Sequence, residues 1–129
     1  VGLTIFAISI GAALGALARW GLGLALNGLF PAIPPGTLAA NLIGGYMVGL
    51  ALPVLMAHPE WGAAWRLFIV TGFLGGLTTF SAFSGEVALL LQQGRLALAG
   101  GAMVLHLVGS LALTLAGFAT VAWWRSGVV

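Results

Sequence analysis

The chain has 129 residues, 61% of them hydrophobic and only 5% charged, with four basic residues, two acidic ones and no cysteine. A soluble domain carries about a quarter of its residues as charge, so no polar coat can be built here and the solvent of this chain is lipid. Disulfides, thiolate metal sites and cysteine nucleophiles are excluded, and four scattered arginines are too sparse for a nucleic-acid surface.

A bilayer crossing needs about 20 predominantly apolar residues. On that criterion the chain predicts an all-α integral membrane protein. It forms a single four-helix transmembrane domain over residues 1–129, with spans at about 3–26, 37–56, 66–91 and 96–124. The first begins at VGLTIFAISIG, which lacks a basic leader region and reads as a span rather than a cleaved signal. It also holds Arg19, a residue type that costs roughly 2.5–3.5 kcal/mol at a helix centre; near the helix end it is expected to reach a headgroup or a vestibule. The connector NGLFPAIPPG follows, and Pro34-Pro35-Gly36-Thr37 suits the first turn of the second helix. Asn41 lies one turn inside, on the face of Thr37. Its amide needs a partner, either across a helix interface or in a pore.

After AHPEWGAAW comes the third span and the run TGFLGGLTTFSAFSGE, Thr71 to Glu86, with four glycines, three threonines, two serines and a glutamate. Gly72, Gly75 and Gly76 weaken the helix, and Thr78 and Thr79 can satisfy freed backbone groups. A local break is predicted at Gly75 to Thr78, near mid-span, where exposed carbonyls would suit a cation and amides an anion. Phe80 and Phe83 then share one face, Ser81 and Ser84 a neighbouring one. The electropositive edges of aromatic rings meet an anion without holding it tightly. Glu86 falls toward a mouth. The turn QQGR leads to the fourth span, where His106, Ser110 and Thr114 make a polar stripe about 12 Å long, better suited to a wet or protein-facing track than to lipid.

Trp61, Trp65, Trp123 and Trp124 sit at predicted interfaces. Orientation is balanced. Arg66 and Arg125 fall on the side of the termini, and Arg95 falls opposite, with Arg19 if it snorkels. Such a level count fits either a weakly biased protein or one inserted both ways, which could pair with itself antiparallel. Four helices enclose little, which favours a homo-oligomer. The pairs Gly11/Gly15, Gly45/Gly49 and Gly72/Gly76 have the GxxxG spacing of close helix contacts. No nucleophile–base–orienter set can be assembled without Asp or Cys, and the glycine-rich run lacks the lysine of a phosphate loop, so no catalytic residues are assigned.

GFLGGLTTFSAFS in the third span, with PPGTLAANLIGG in the second and HLVGS in the fourth, resembles the Fluc (CrcB-type) fluoride channel family over essentially the whole chain. The resemblance implies an antiparallel dual-topology homodimer of four-helix subunits in a bacterial inner membrane. Its function would be passive fluoride export, lowering fluoride toxicity. It further implies that Phe80 and Phe83 line the pore, that Asn41 donates to fluoride, and that hydroxyl residues form a polar track. Sodium (Na+) as a structural cofactor at the dimer axis is implied as well, held by backbone carbonyls at Gly75 and Thr78. The fourth span departs from the pattern, since some members carry tyrosine and serine where this chain has Ala102 and His106. Neutral donors from Asn41, Ser81, Ser84, Ser110 and Thr114 suit a small, strongly hydrated anion, because they bind without trapping it, and His106 is expected along the same pore. A proton antiporter of the small multidrug type is the main rival. It needs a carboxylate in the middle of the first span, which has neither Asp nor Glu. A non-transporting membrane subunit is the second.

Overall fold

The computed structural model describes residues 1–127 of the chain, and the last two positions of the expected domain lie outside them. Four helices are long and apolar enough to cross a membrane. Helix α1 covers Gly2–Leu26 and α2 covers Pro35–Ala57. The third crossing has two parts: α3, a continuous helical run over 62–77, and α4, Phe80–Gln92. Helix α5 covers Leu96–Ser126. The expected spans are recovered, but the third crossing extends further toward the amino terminus than expected. Pro59–Trp61 makes one tight turn and Gly62, at φ 82°, redirects the chain into α3.

Local chemistry accounts for the ends. Asn27, just past α1, reaches across the connector. Its Oδ1 accepts from the backbone N–H of Gly36 at 2.8 Å and of Thr37 at 3.3 Å, capping α2 from outside the helix. Pro35 takes the first position, where its missing N–H is not needed. At the end of α4, Gly94 adopts φ 71°, and the Arg95 N–H bonds the Leu90 carbonyl at 2.9 Å, the closing pattern that favours glycine.

Packing uses all three GxxxG pairs. α1 lies against α3, and α2 runs along α5 in the most extensive helix contact. A methyl group on Gly11 would stand 2.5 Å from the Phe68 carbonyl oxygen, and one on Gly45 would stand 2.9 Å from that of Ser110. Backbone therefore meets backbone, as helix contact in lipid demands when no hydrophobic effect drives association. Gly15, Gly49, Gly72 and Gly76 make equally close approaches. Small apolar clusters flank the break. Ala40, Leu74 and Leu77 lie on one side; Phe83, Val87, Leu90, Ala99 and Ala102 lie on the other. Most other large apolar side chains point outward, Leu3, Phe6, Leu24 and Leu111 among them. Trp61, Trp65, Trp123 and Trp124 are exposed near the ends of α2, α3 and α5, and Arg125 ties that end of α5 to the Pro53 carbonyl at 3.0 Å.

The third crossing corrects the expected break. Gly75–Leu77 stays helical, and the chain opens three residues later, at Thr78 (φ −83°, ψ 156°) and Thr79 (φ −151°, ψ 116°). The reason is lateral: Asn41 offers Thr79 a better partner than the helix does, as described below. A second feature lies outside the sequence reading. Leu67–Leu74 is wound as a π-helix, whose hydrogen bonds each span one residue more than those of an α-helix.

Candidate functional site around the break in the third helix

Helix α2 turns Thr37 and Asn41 toward the break. The Asn41 Oδ1 accepts the Thr79 N–H at 2.7 Å, and its Nδ2 donates to the Thr79 carbonyl at 3.0 Å. The amide thus pairs with the extended residue as a neighbouring strand would. Thr79 also starts α4: its Oγ1 accepts the Ala82 N–H at 3.1 Å, an N-cap. The Thr78 hydroxyl donates to the Leu74 carbonyl at 2.8 Å. Thr79 therefore satisfies a freed backbone group, as the sequence suggested, whereas the Leu74 carbonyl bonded by Thr78 already accepts the Thr78 N–H at 3.0 Å. Arg19 turns onto the third crossing, with its Nε donating to the Gly76 carbonyl at 3.1 Å.

This pattern has a consequence for the remaining carbonyls. In an unbroken helix the Gly75 oxygen would meet the Thr79 N–H, and the Thr78 oxygen would meet the Ala82 N–H. Both donors are turned elsewhere, to Asn41 and to the Thr79 hydroxyl. The carbonyls of Gly75 and Thr78 thereby lose the N–H partners an unbroken helix would give them.

Asn41 has a third bond. Its Nδ2 lies 3.0 Å from the Nδ1 of His106 on α5. The His106 ring packs on Phe83 at 4.6 Å between centroids with a 30° tilt, and Phe83 meets Phe80 edge-on at 5.5 Å and 72°. Asn41, Thr79, Phe80, Phe83, His106 and Ser110 line one cavity of about 520 Å³, which Gly75 and Thr78 also reach. Phe83 and His106 are buried, whereas Phe80 is 72% exposed.

The remaining predicted residues are placed differently. Thr114 is turned into the α2–α5 contact, with its hydroxyl 2.9 Å from the carbonyls of both Gly45 and Ser110. Ser81 and Ser84 lie exposed on the outer face of α4, Ser81 being 3.3 Å from the Thr79 hydroxyl. Glu86 is half-buried and accepts the Thr37 hydroxyl at 2.7 Å. It borders a cavity of about 480 Å³, shared with Arg19, Thr37 and Thr79, and another of about 290 Å³ beside Gln93 and Arg95. Thr79 was expected only to patch backbone. Its pairing with Asn41 was missed, and the available signal was a threonine preceding an apolar helix start. Among the described residues no group of three or more His, Asp or Glu side chains comes together in a way that could hold a metal ion.

The model of the CrcB-like protein, Camphor Resistance (CrcB) family matches residues 6–118, which takes in most of every long helix and the whole site. The chain belongs to the CrcB-like family. Its relatives in that family are similar along nearly their full length. A protein of Tolumonas auensis is 60% identical over 117 residues, covering 91% of this chain and 92% of its own. One of Nitrosomonas europaea is 56% identical over 122 residues, 95% of this chain and 96% of its own. One of Pseudomonas aeruginosa is 57% identical over 120 residues, 93% and 94%. Each of these relatives is named a fluoride-specific ion channel, FluC.

Proposed function

We propose that this chain is a fluoride-selective ion channel, not an enzyme, giving passive export of fluoride from the cytoplasm across a bacterial inner membrane. The observation that carries the reading is the break at Thr78 and Thr79. It brings ring edges, an amide, an imidazole and hydroxyls to one cavity within a helix bundle whose family relatives are named for fluoride.

Fluoride is small and strongly hydrated, so a narrow path must replace its water with donors. The rings of Phe80 and Phe83 offer electropositive edges, and neutral polar groups on α2 and α5 stand opposite. Among the described residues no arginine side chain borders that cavity, so no permanently charged side chain holds the ion there. Chloride is wider and is compensated less well by the same short donors. The antiporter reading loses support because α1 holds no carboxylate and Glu86 is engaged by Thr37.

The assembly we propose is an antiparallel dual-topology homodimer. Phe80, Ser81 and Ser84 lie at the surface of the single chain, so a path along them is incomplete until a second chain covers it. The same geometry fits a structural sodium between the two breaks, held by the Gly75 and Thr78 carbonyls of both chains. The ion would tie the partners together and neutralise the carbonyl dipoles. Ion density on a two-fold axis, ringed by these carbonyls, is the expected sign; carbonyls facing away from the axis would contradict it.

The functional test is efflux from liposomes loaded with fluoride or with chloride, followed by ion-selective electrodes. Fast fluoride release, negligible chloride release and no need for a proton gradient are expected. Equal rates for the two halides would overturn the assignment.

A further inference from the structure

Arg66 and the groove beside it play no part in the break. Arg66 is exposed at the start of the third crossing, and among the described residues its guanidinium makes no hydrogen bond and no ion pair. It stands at the rim of a groove of about 330 Å³ between α2 and α3, walled by Leu52, Met56, Leu67 and Val70, with Thr71 further along α3. Trp61 and Trp65 are exposed beside it, and Trp65 meets Phe68 edge-on at 6.0 Å and 88°. Amphipathic rings of this kind settle at headgroup depth. A charge that never titrates away therefore faces the layer of lipid phosphates, with an apolar slot leading from it toward the bilayer centre.

The groove offers a second polar handle. Thr78, Thr114 and Thr120 each donate to the carbonyl four residues back, the usual recourse of a helical threonine. Thr71 is exposed, and its hydroxyl bonds none of the described residues. Such a donor needs an acceptor, which hydrocarbon cannot supply. A phospholipid carries two kinds of acceptor in that order: a phosphate in the headgroup layer, then ester carbonyls beneath it. A guanidinium takes a phosphate through two parallel hydrogen bonds. Charge at this end also selects the headgroup. The acidic side chains of the chain are Glu60 and Glu86. Glu86 belongs to the opposite end of the third crossing, and Glu60 is engaged by His58, whose Nδ1 lies 2.9 Å from its carboxylate. An ammonium headgroup would find no open carboxylate beside Arg66, whereas an anionic one meets a cation.

We propose that the groove between α2 and α3 binds an anionic phospholipid, with its phosphate on Arg66, an ester carbonyl on the Thr71 hydroxyl and an acyl chain along Leu52, Met56 and Val70. Arg66 stands about 13 Å along the helix from Gly75, at the far end of α3 from the break where the second chain is placed. Such a lipid would bind whichever ion the protein conducts.

The test is photolabelling of the full chain in phosphatidylethanolamine liposomes doped with a phosphatidylglycerol that carries a diazirine in its acyl chain. The same diazirine on phosphatidylethanolamine is the comparison, and peptide mass spectrometry locates the adducts. The phosphatidylglycerol probe should mark residues 52–56 and 67–71 well above the exposed faces of α1 and α5, and the comparison probe should not. Even marking of all exposed helices would make the groove ordinary lipid surface and overturn the proposal. No marking within it would mean that a second copy of the chain covers it, with the same result. Inorganic phosphate in the buffer should leave the adducts unchanged; displacement would make this a soluble-anion site and contradict the lipid. Arg66 is exposed, so Arg66→Gln keeps the fold, and it should lower the groove adducts about fivefold, the scale of one basic residue at an anionic surface. Arg95→Gln makes the same charge change at the opposite end and should leave them unchanged. Equal losses in the two variants would show attraction by net charge alone, and no loss in Arg66→Gln would remove the phosphate contact; either overturns the proposal. Thr71→Val, close in shape, should lower the adducts about twofold or more, as loss of a hydrogen bond does. Unchanged adducts there would contradict the carbonyl contact.

Discussion

Asn41 joins three helices through one side chain, and its loss should be felt as structure before it is felt as chemistry. Asn41→Asp keeps the shape but removes both amide hydrogens, leaving the Thr79 carbonyl and the His106 Nδ1 without donors. Each buried group stranded in this way costs about 1–3 kcal/mol. A lower apparent melting temperature and a large loss of fluoride efflux are expected together; an unchanged melting temperature would mean that the amide does not hold the break. Phe80→Ile is the contrasting case. The ring is 72% exposed on the single chain and anchors no hydrogen bond, so efflux should fall while the dimer elutes unchanged. Unchanged efflux would remove Phe80 from the path. At this scale the sequence was a partial guide: Asn41, Phe80, Phe83, His106 and Ser110 share one cavity, whereas Ser81, Ser84 and Thr114 do not line it. It could not show where hydrogen bonds run. Arg19 bonding the Gly76 carbonyl and Thr79 pairing with Asn41 depend on where backbone groups point at a break, which residue type does not encode.

At the scale of the helices, composition set the lengths and glycine spacing set the contacts. A Cβ on Gly49 would overlap the Thr114 carbonyl, whereas one on Gly21 meets nothing within 4 Å. Gly49→Ala should therefore push α2 from α5 and cost about 1–3 kcal/mol, as overpacking does. Gly21→Ala in α1 should stabilise by up to about 1 kcal/mol through helix propensity. Chemical or thermal unfolding in detergent checks both; equal effects would show that the glycines are not contact sites. Thr79→Val should remove the N-cap of α4 at a cost of about 0.5–2 kcal/mol. The π-helix over Leu67–Leu74 was not legible. LFIVTGFL has the apolar character of any buried α-helix, and its neighbours in space, with Gly11 and Gly72 in close approach, come from α1. That a break follows the glycines was legible, but its place was only overlapped at Thr78, because Gly75–Leu77 stays helical.

At the scale of the whole molecule, one chain supplies only part of what a channel needs. With Arg19 turned inward, the charge bias is slight: Arg66 and Arg125 on the side of the termini, Arg95 opposite. Weak bias of this kind is what insertion in both directions requires. The chain has no cysteine, so Gln93→Cys gives a single label in the α4–α5 turn. In intact cells an impermeant thiol reagent should reach about half of the molecules on the balanced-insertion reading of that charge pattern. Labelling of all or none would contradict antiparallel assembly. That architecture was expected from resemblance, since neither hydropathy nor the contacts within one chain contain the second copy. The central claim is selective, passive conduction, and a planar-bilayer reversal potential reads it most directly. With a tenfold fluoride gradient at equal chloride on both sides, currents should reverse near the fluoride equilibrium potential, about 59 mV for a single charge, and should stay there when a pH gradient is imposed. Reversal near zero, or reversal that follows the pH gradient, would contradict the account.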